Sequence, residues 1–254
     1  MTGFDSDQND ETHFGYQRVP VAEKARRVGE VFSSVASRYD VMNDLMSAGL
    51  HRLWKRQALR LINARPGQRV LDLAAGTGDL ARGLAAQVGP EGEVIVSDIN
   101  AAMLETGRDR LLDEGVTGNL DYVLANAEQL PFQPRQFDRI SIGFGLRNVT
   151  RIPEALQAMR EALRPGGQLV ILEFSSLYLT PLQPVYDLYS FRMLPLMGRL
   201  VAQDAESYRY LAESIRQHPD QETLKMMMEA AGFEDVGYIN LSGGVVALHH
   251  GHVY

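Results

Sequence analysis

This sequence predicts an α/β chain built on a seven-stranded, mostly parallel sheet with helices on both faces and an antiparallel hairpin at its C-terminal end. Three observations carry that expectation. Short runs of β-branched and aliphatic residues alternate with helix-period stretches from Arg69 to Phe174, the pattern of parallel strands joined by crossover helices. The first of these strands runs straight into a glycine-rich turn, Asp72-Leu73-Ala74-Ala75-Gly76-Thr77-Gly78-Asp79. Further on, Glu234 to Leu241 and Gly244 to Tyr254 read as two strands turning at Ser242-Gly243-Gly244.

The elements follow in order. Residues 1–27 are acidic and polar at their start and are expected to be disordered, leaving 28–254 as a single domain. Val28, Val31, Phe32, Val35 and Tyr39 lie three or four apart, an apolar stripe on one helix face. A second helix covers Leu50 to Ile62 and ends at Arg65-Pro66-Gly67, so that 28–64 makes a helical lid. Strands are expected at Arg69 to Leu73, Glu93 to Asp98, Leu120 to Ala125, Phe137 to Phe144 and Gly167 to Phe174. Between them lie helices at Leu80 to Val88, Ala101 to Glu114, with Asn100 as its N-cap, and Pro153 to Leu163. Residues 175–219 break this rhythm. They are rich in Tyr, Leu, Met and Pro and read as a helical insertion over the C-terminal edge of the sheet, before a last helix at Gln221 to Ala231.

Composition removes several functions. The chain has 254 residues and a formal charge of 25 − 32 = −7, whereas a nucleic-acid partner calls for a basic footprint. It has no Cys, which excludes disulfides, zinc–thiolate sites and a thiol nucleophile. Neither a signal peptide nor an apolar span of ~18 residues is present, so a cytoplasmic location is expected.

The glycine turn is the first candidate site. Glycines let a ligand approach the backbone, and the next helix offers unpaired N–H donors. Asp98 ends the second strand, where a carboxylate holds a ribose diol. Gly76-x-Gly78-x-x-Ala81 also satisfies the dinucleotide fingerprint, so the turn alone leaves a nicotinamide and a methyl-donor cofactor both open.

Other residues break the tie. Asp72 to Gly78, with Ala74 in place of a first glycine, resembles the signature of the class I S-adenosylmethionine-dependent methyltransferases. Asn126 to Phe132 followed by Phe137-Asp138 is similar to their adenine-side loop, and Leu163-Arg164-Pro165-Gly166-Gly167 to their turn into the fifth strand. Tyr39-Asp40-x-Met42-Asn43, Ser47, His51 and Trp54 narrow the match. So do Phe144-Gly145-Leu146-Arg147-Asn148-Val149, the run Tyr208 to Ile215, and His218-Pro219. Together they resemble the ubiquinone/menaquinone biosynthesis C-methyltransferases from about Val28 to the end of the chain.

That resemblance implies a Rossmann-like fold, S-adenosyl-L-methionine as methyl donor, and a polyprenylated benzoquinol or naphthoquinol as substrate. It places cofactor contacts on Thr77, Asp98, Asn126 and Ala127, to which the glycine turn adds Asp72, Gly76 and Gly78. Several relatives carry serine where this chain has Gly143, so a hydroxyl contact is absent there. Methylating an aromatic carbon requires an ionised neighbouring hydroxyl, two reactants in line and a water-free site. Arg147 is the candidate for stabilising the phenolate, and its alternative is an ion pair that anchors the loop. Asn148 could orient the quinol oxygen or cap the next turn. Tyr39 could bond the ring oxygen from the lid or simply close the apolar stripe.

No metal is implied: His249, His250 and His252 cluster without a carboxylate at ligand spacing. Arg52, Lys55, Arg56 and Arg60 beside Leu53 and Trp54 make a helix face that could touch an anionic membrane surface or merely be solvated. Tyr186, Tyr189, Met193 and Met197 could line an isoprenoid groove or pack into the core. Association with other quinone-biosynthesis enzymes and oligomerisation stay open. Competing readings are a methyltransferase for another small hydrophobic molecule, a nicotinamide oxidoreductase and a non-catalytic cofactor-binding scaffold.

Overall fold

Two apolar layers follow from the two-residue period of the strands. In the computed structural model, which describes residues 11–35, 43–44, 47–177 and 205–254, the chain opens with a hairpin of β1 (Glu11–Phe14) and β2 (Gln17–Pro20) leading into α1 (Val21–Val35). Helix α2 (His51–Ile62) precedes the main sheet, which is built from β3 (Arg69–Leu73), β4 (Glu93–Asp98), β5 (Leu120–Leu124), β6 (Phe137–Gly143), β7 (Leu163–Phe174), β8 (Glu234–Leu241) and β9 (Val246–His252). The intervening helices are α3 (Asp79–Val88), α4 (Ala101–Asp113), α5 (Ile152–Ala162), α6 (Ala205–Gln217) and α7 (Gln221–Ala230).

Strand order is β5-β4-β3-β6-β7-β9-β8, parallel from β5 to β7, with β9 antiparallel to both its neighbours. On one face Val70, Val96, Val170 and Leu248 pack with Trp54, Ala58, Leu84 and Leu111 of α2, α3 and α4. On the other Leu71, Ile95, Ile142 and Ile171 pack with Leu156 and Met159 of α5 and Leu224 and Met228 of α7. Burying apolar side chains on both faces is what parallel strands require. The terminal hairpin turns at Ser242–Gly244, and Gly243 takes a positive φ of 71° there.

The expected fold class is the observed one. The expected disorder of residues 1–27 is corrected for 11–27, which form the hairpin and the first two turns of α1. The charge of the leading segment hid the contacts that anchor it and the helix it leads into. Phe14 stacks on Tyr210 with ring centroids 4.2 Å apart, and Val28 packs against Tyr210 and Leu211 of α6. The lid helix accordingly begins at Val21 rather than Val28. Most of the tyrosine- and methionine-rich stretch, including Tyr186, Tyr189, Met193 and Met197, lies outside the described residues, as does Tyr39. Among the described residues no helix is long and apolar enough to cross a membrane, and no cluster of His, Cys, Asp or Glu could hold a metal.

Candidate active site

The chain leaves β3 toward β4 and β5 on one side, and leaves β6 toward β7 on the other, so a crevice opens above the C-terminal ends of β3 and β6. A cleft of about 820 Å³, measured out to its open mouth, fills that crevice. Its floor is Ala74 and Gly76 after β3, Asp98 at the end of β4, Asn126 and Ala127 after β5, and Phe144 and Gly145 after β6. Ala25, Val28, Gly29 and Phe32 of α1 form the opposite wall. Helix α1 is held there by Asn100, whose Nδ2 donates to Gly29 O at 2.9 Å, and by Lys24, whose Nζ donates to Val149 O at 3.1 Å.

The glycine turn is packed tightly from behind. A Cβ on Gly78, which has a φ of 81°, would meet Leu111 Cδ1 at 2.7 Å. One on Gly107 would meet Gly76 O at 2.6 Å, so α4 presses directly on the turn. Gly78 supports the turn and borders neither cavity.

Asp98 organises the polar side of the cleft. Its Oδ2 accepts from Gly76 N–H and its Oδ1 from Asn100 N–H, both at 2.9 Å. Burial pushes its pKa up, and hydrogen bonds from the Asn100, Gly76 and Ile99 amides oppose that rise. Each oxygen keeps lone-pair capacity toward the cleft, which suits the paired hydroxyls of a ribose. Across from it, Asn126 closes its own turn by accepting from Glu128 N–H at 3.0 Å, a local Asx turn that presents the 126–128 backbone.

A second, smaller cavity of about 340 Å³ adjoins the first and shares Ala74 and Phe144 with it. Its lining is polar: Lys55, Asp72, Thr77 and Asp79, with Gly143. Strand periodicity puts Asp72, between Leu71 and Leu73, on the α2 side of β3. There it accepts from Ser141 Oγ at 2.7 Å, while its other oxygen is buried without a partner. Burial raises the Asp72 carboxyl to about 7, with Ser141 and the Lys55 charge pulling the other way. Asp79 behaves oppositely: burial would raise it, but Lys55 and Arg110 outweigh that and hold it below the usual carboxylate range. Lys55 Nζ donates to Asp79 Oδ2 at 2.6 Å, and Arg110 Nη2 lies 2.9 Å from Asp79 Oδ1. Thr77 Oγ1 accepts from Arg110 Nη1 at 3.3 Å.

The loop after β6 departs from expectation. Arg147 borders neither cavity. Its side chain is buried against Glu173, Nη1 to Oε1 at 3.0 Å, and Nη1 also donates to Phe144 O. The Glu173 carboxylate further accepts from the backbone N–H of Arg147 and of Phe174. Of the two roles expected of Arg147, the described geometry is that of the loop-anchoring ion pair, with the guanidinium charge matched by a buried carboxylate. Asn148 does border the cleft, and its Oδ1 accepts from Tyr210 Oη at 3.0 Å.

The structure thus brings Gly76, Asp98, Asn126, Ala127 and Asn148 together at the cleft, and Asp72 and Thr77 at the smaller cavity. Sequence reasoning missed Glu173, Phe144 and the inward role of Lys55. The sequence pattern groups Lys55 with a basic outer face, yet its side chain is only 14% exposed, while Arg52, Arg56 and Arg60 are exposed. An acidic residue inside the aliphatic run Leu169 to Phe174 was the available signal for Glu173.

A family model described as the ubiE/COQ5 methyltransferase family matches residues 20–253. The chain belongs to the ubiE/COQ5 methyltransferase family. A relative from Pseudomonas paraeruginosa, named ubiquinone/menaquinone biosynthesis C-methyltransferase UbiE, is 60% identical over 97% of this chain and 96% of its own length. One of the same name from Stutzerimonas stutzeri is 60% identical over 94% of each chain. Among solved structures, a SAM-dependent methyltransferase from Aquifex aeolicus aligns with a TM-score of 0.62 at 15% identity, covering 85% of this chain and 98% of that one. A Haemonchus contortus phosphoethanolamine N-methyltransferase in complex with S-adenosylhomocysteine aligns at 0.56 and 15% identity, covering 78% and 52%. These two likenesses concern the fold. In this ubiE/COQ5 family member a Cβ at Gly143 would lie 2.8 Å from Leu80 Cδ1, so a serine there needs only a shift of that flexible side chain.

Proposed function

We propose that the chain transfers a methyl group from S-adenosylmethionine to a ring carbon of a polyprenylated quinol, the C-methylation shared by ubiquinone and menaquinone biosynthesis. The match of the whole folded chain, at 60% identity, to C-methyltransferases of that name carries this reading. The donor supplies an electrophilic methyl on a sulfonium; everything else falls to the protein.

The two joined cavities fit that donor on their own chemistry. A ribose diol suits the two outward lone-pair sites of Asp98, and an adenine edge suits the backbone at Asn126 and Ala127. The amino-acid end carries both charges, and the smaller cavity offers both complements. The carboxylate would lie by Lys55, whose ammonium keeps N–H donors beyond its bond to Asp79, and the ammonium by the unpartnered oxygen of Asp72.

On the acceptor side, Asn148 stands at the cleft with its carbonyl oxygen engaged by Tyr210, which leaves its amide N–H groups as donors to a quinol oxygen. Donors aimed at a developing phenolate lower the barrier, and removing one of them typically costs ~10²-fold or more in turnover. Arg147 and Glu173 hold the loop that delivers Asn148 and Phe144. The apolar α1 wall excludes water from the ring and narrows the angles at which carbon can approach the methyl. The ring proton leaves to solvent or a buffer base after transfer, and Tyr39 remains a candidate contact to the ring oxygen. The exposed Arg52, Arg56 and Arg60 beside the exposed Leu50 and Leu53 support peripheral contact with an anionic membrane, where such quinols reside.

The test is mass spectrometry of a reaction holding the purified protein, S-adenosylmethionine and a reduced short-chain demethylmenaquinol. A product one methyl heavier, with the methyl on ring carbon, is expected. Cofactor binding without methylation of naphthoquinol or benzoquinol would overturn the substrate assignment.

A further inference from the structure

The two cavities meet at a partition made of two residues, Ala74 and Phe144, the pair common to both linings. Resting on the reading that S-adenosylmethionine is the donor, the adenosyl end occupies the larger cavity and the amino-acid end the smaller. The sulfur joins those ends covalently, so it must cross the partition. We infer that the Phe144 ring is the group that recognises the sulfonium charge and so distinguishes the methyl donor from its neutral thioether product.

Several features of Phe144 point the same way. It is a bulky residue held at a φ of 58°, a left-handed conformation that non-glycine residues rarely adopt and that tends to persist where the surroundings enforce it for function. Here they do: its N–H donates to Leu172 O at 2.7 Å and its carbonyl accepts from Arg147. The ring is fixed by two aromatic neighbours, Phe174 at 4.8 Å and Trp54 at 6.1 Å between centroids. Trp54 is itself tied down by donating from Nε1 to Ser242 Oγ at 2.9 Å. Its partner in the partition, Ala74, contributes a methyl group and also sits at positive φ, 53°.

No carboxylate borders both cavities, and Asp72 and Asp98 each border one. At the crossing point a cation would therefore meet the Phe144 side chain rather than an anion. That choice has a chemical consequence. A quadrupole steadies the sulfonium without the strong binding of a full counter-charge, so the methyl stays electrophilic. When the methyl leaves, sulfur keeps the electron pair of the broken bond, the thioether is neutral, and the attraction ends with the reaction. Product release is favoured by the same ring that favours the donor.

The experiment is equilibrium titration calorimetry of the full chain with S-adenosylmethionine, S-adenosylhomocysteine and sinefungin, which carries an ammonium in place of the sulfonium. Phe144→Leu is expected to weaken the two cations by about five- to thirty-fold, the worth of a desolvated cation over a ring, and the neutral thioether by no more than about twofold. Because Phe144→Leu could disturb the loop, the second series keeps the shape: 4-fluoro- and 3,4,5-trifluorophenylalanine at position 144 should weaken the cations stepwise while the thioether stays level. Equal losses for all three ligands, or indifference to fluorination, would overturn the inference while leaving the donor assignment intact. Wild-type protein that binds neither S-adenosylmethionine nor S-adenosylhomocysteine would overturn both.

Discussion

Arg147 and Glu173 form an ion pair sealed inside the molecule, Nη1 to Oε1 at 3.0 Å, with their side chains only 3% and 1% exposed. It ties the loop after β6 to the end of β7, the two elements that carry Asn148, Phe144 and Phe174. Removing one partner strands the other charge in the interior. Arg147→Ala is expected to cost about 3–5 kcal/mol of unfolding free energy. Adding Glu173→Gln should restore part of that by removing the orphan charge, although its single carbonyl accepts from only one of the Arg147 and Phe174 N–H groups, which now donate to different oxygens. Urea unfolding of the wild type and the two variants measures it. A loss below about 1 kcal/mol for Arg147→Ala would mean that the pair does not hold the loop.

Asp98 gives the second prediction. Its two oxygens accept from Gly76 and Asn100 on one side and face the cleft on the other. Asp98→Asn puts an amide donor against one of those backbone donors and removes the negative charge. Affinity for S-adenosylmethionine should fall by about ten- to a hundred-fold, the worth of a charge-assisted hydrogen bond, with the circular dichroism spectrum unchanged. Unaltered affinity by calorimetry would place the ribose elsewhere.

Asp98 and Arg147 also mark what a sequence can and cannot disclose. Asp98 ends a strand of plain aliphatic pattern, and its neighbour Asn100 caps α4 through a bond from Met103 N–H at 3.1 Å, a signal contained in four consecutive residues. Period and capping are local, so the sheet, its order of strands and helices, and the terminal hairpin were all readable. The partners of Arg147 and Lys55 are not local. Glu173 lies on the neighbouring strand and Asp79 on another helix. Spacing along the chain therefore gave no reason to turn either cation inward. The hairpin of residues 11–20 was missed for the same reason, because Tyr210, which makes its Phe14 stick, is nearly two hundred residues away.

Asp72 should couple donor binding to protons. With its carboxyl raised to about 7 by burial, the folded state holds a proton that the unfolded state, near 3.8, has released. The sign follows: Asp72 favours the fold fully below 3.8, and that contribution is lost as pH rises through 7. A ligand ammonium beside the carboxyl favours the ionised form, so binding below pH 7 should release protons, and affinity should rise with pH until it levels above 7. Calorimetry at pH 6 in buffers of different ionisation enthalpy counts the protons. Asp72→Asn should flatten the pH dependence; a slope that survives the substitution belongs to another group.

His218 provides the last test, in the opposite direction. It follows α6, and both its ring nitrogens are shut off from solvent without a hydrogen-bond partner. Burial lowers its pKa to about 4; Glu173 raises it somewhat, and Arg147 and His249 lower it further. The folded-state value lies below the unfolded one, 6.5, so the neutral ring contributes stability that is present above 6.5 and is lost as pH falls through 4. Over that range the loss is on the order of 3 kcal/mol, about 2 of it by pH 5. Asp72 and other carboxyls titrate in the same window, so the informative quantity is the difference between wild type and His218→Leu. Urea unfolding at pH 7.5 and at pH 5 should show the variant losing about 2 kcal/mol less than the wild type on acidification. Parallel losses in the two proteins would mean that the His218 ring finds a proton-bearing partner when the protein is acidified, and is not held neutral by burial.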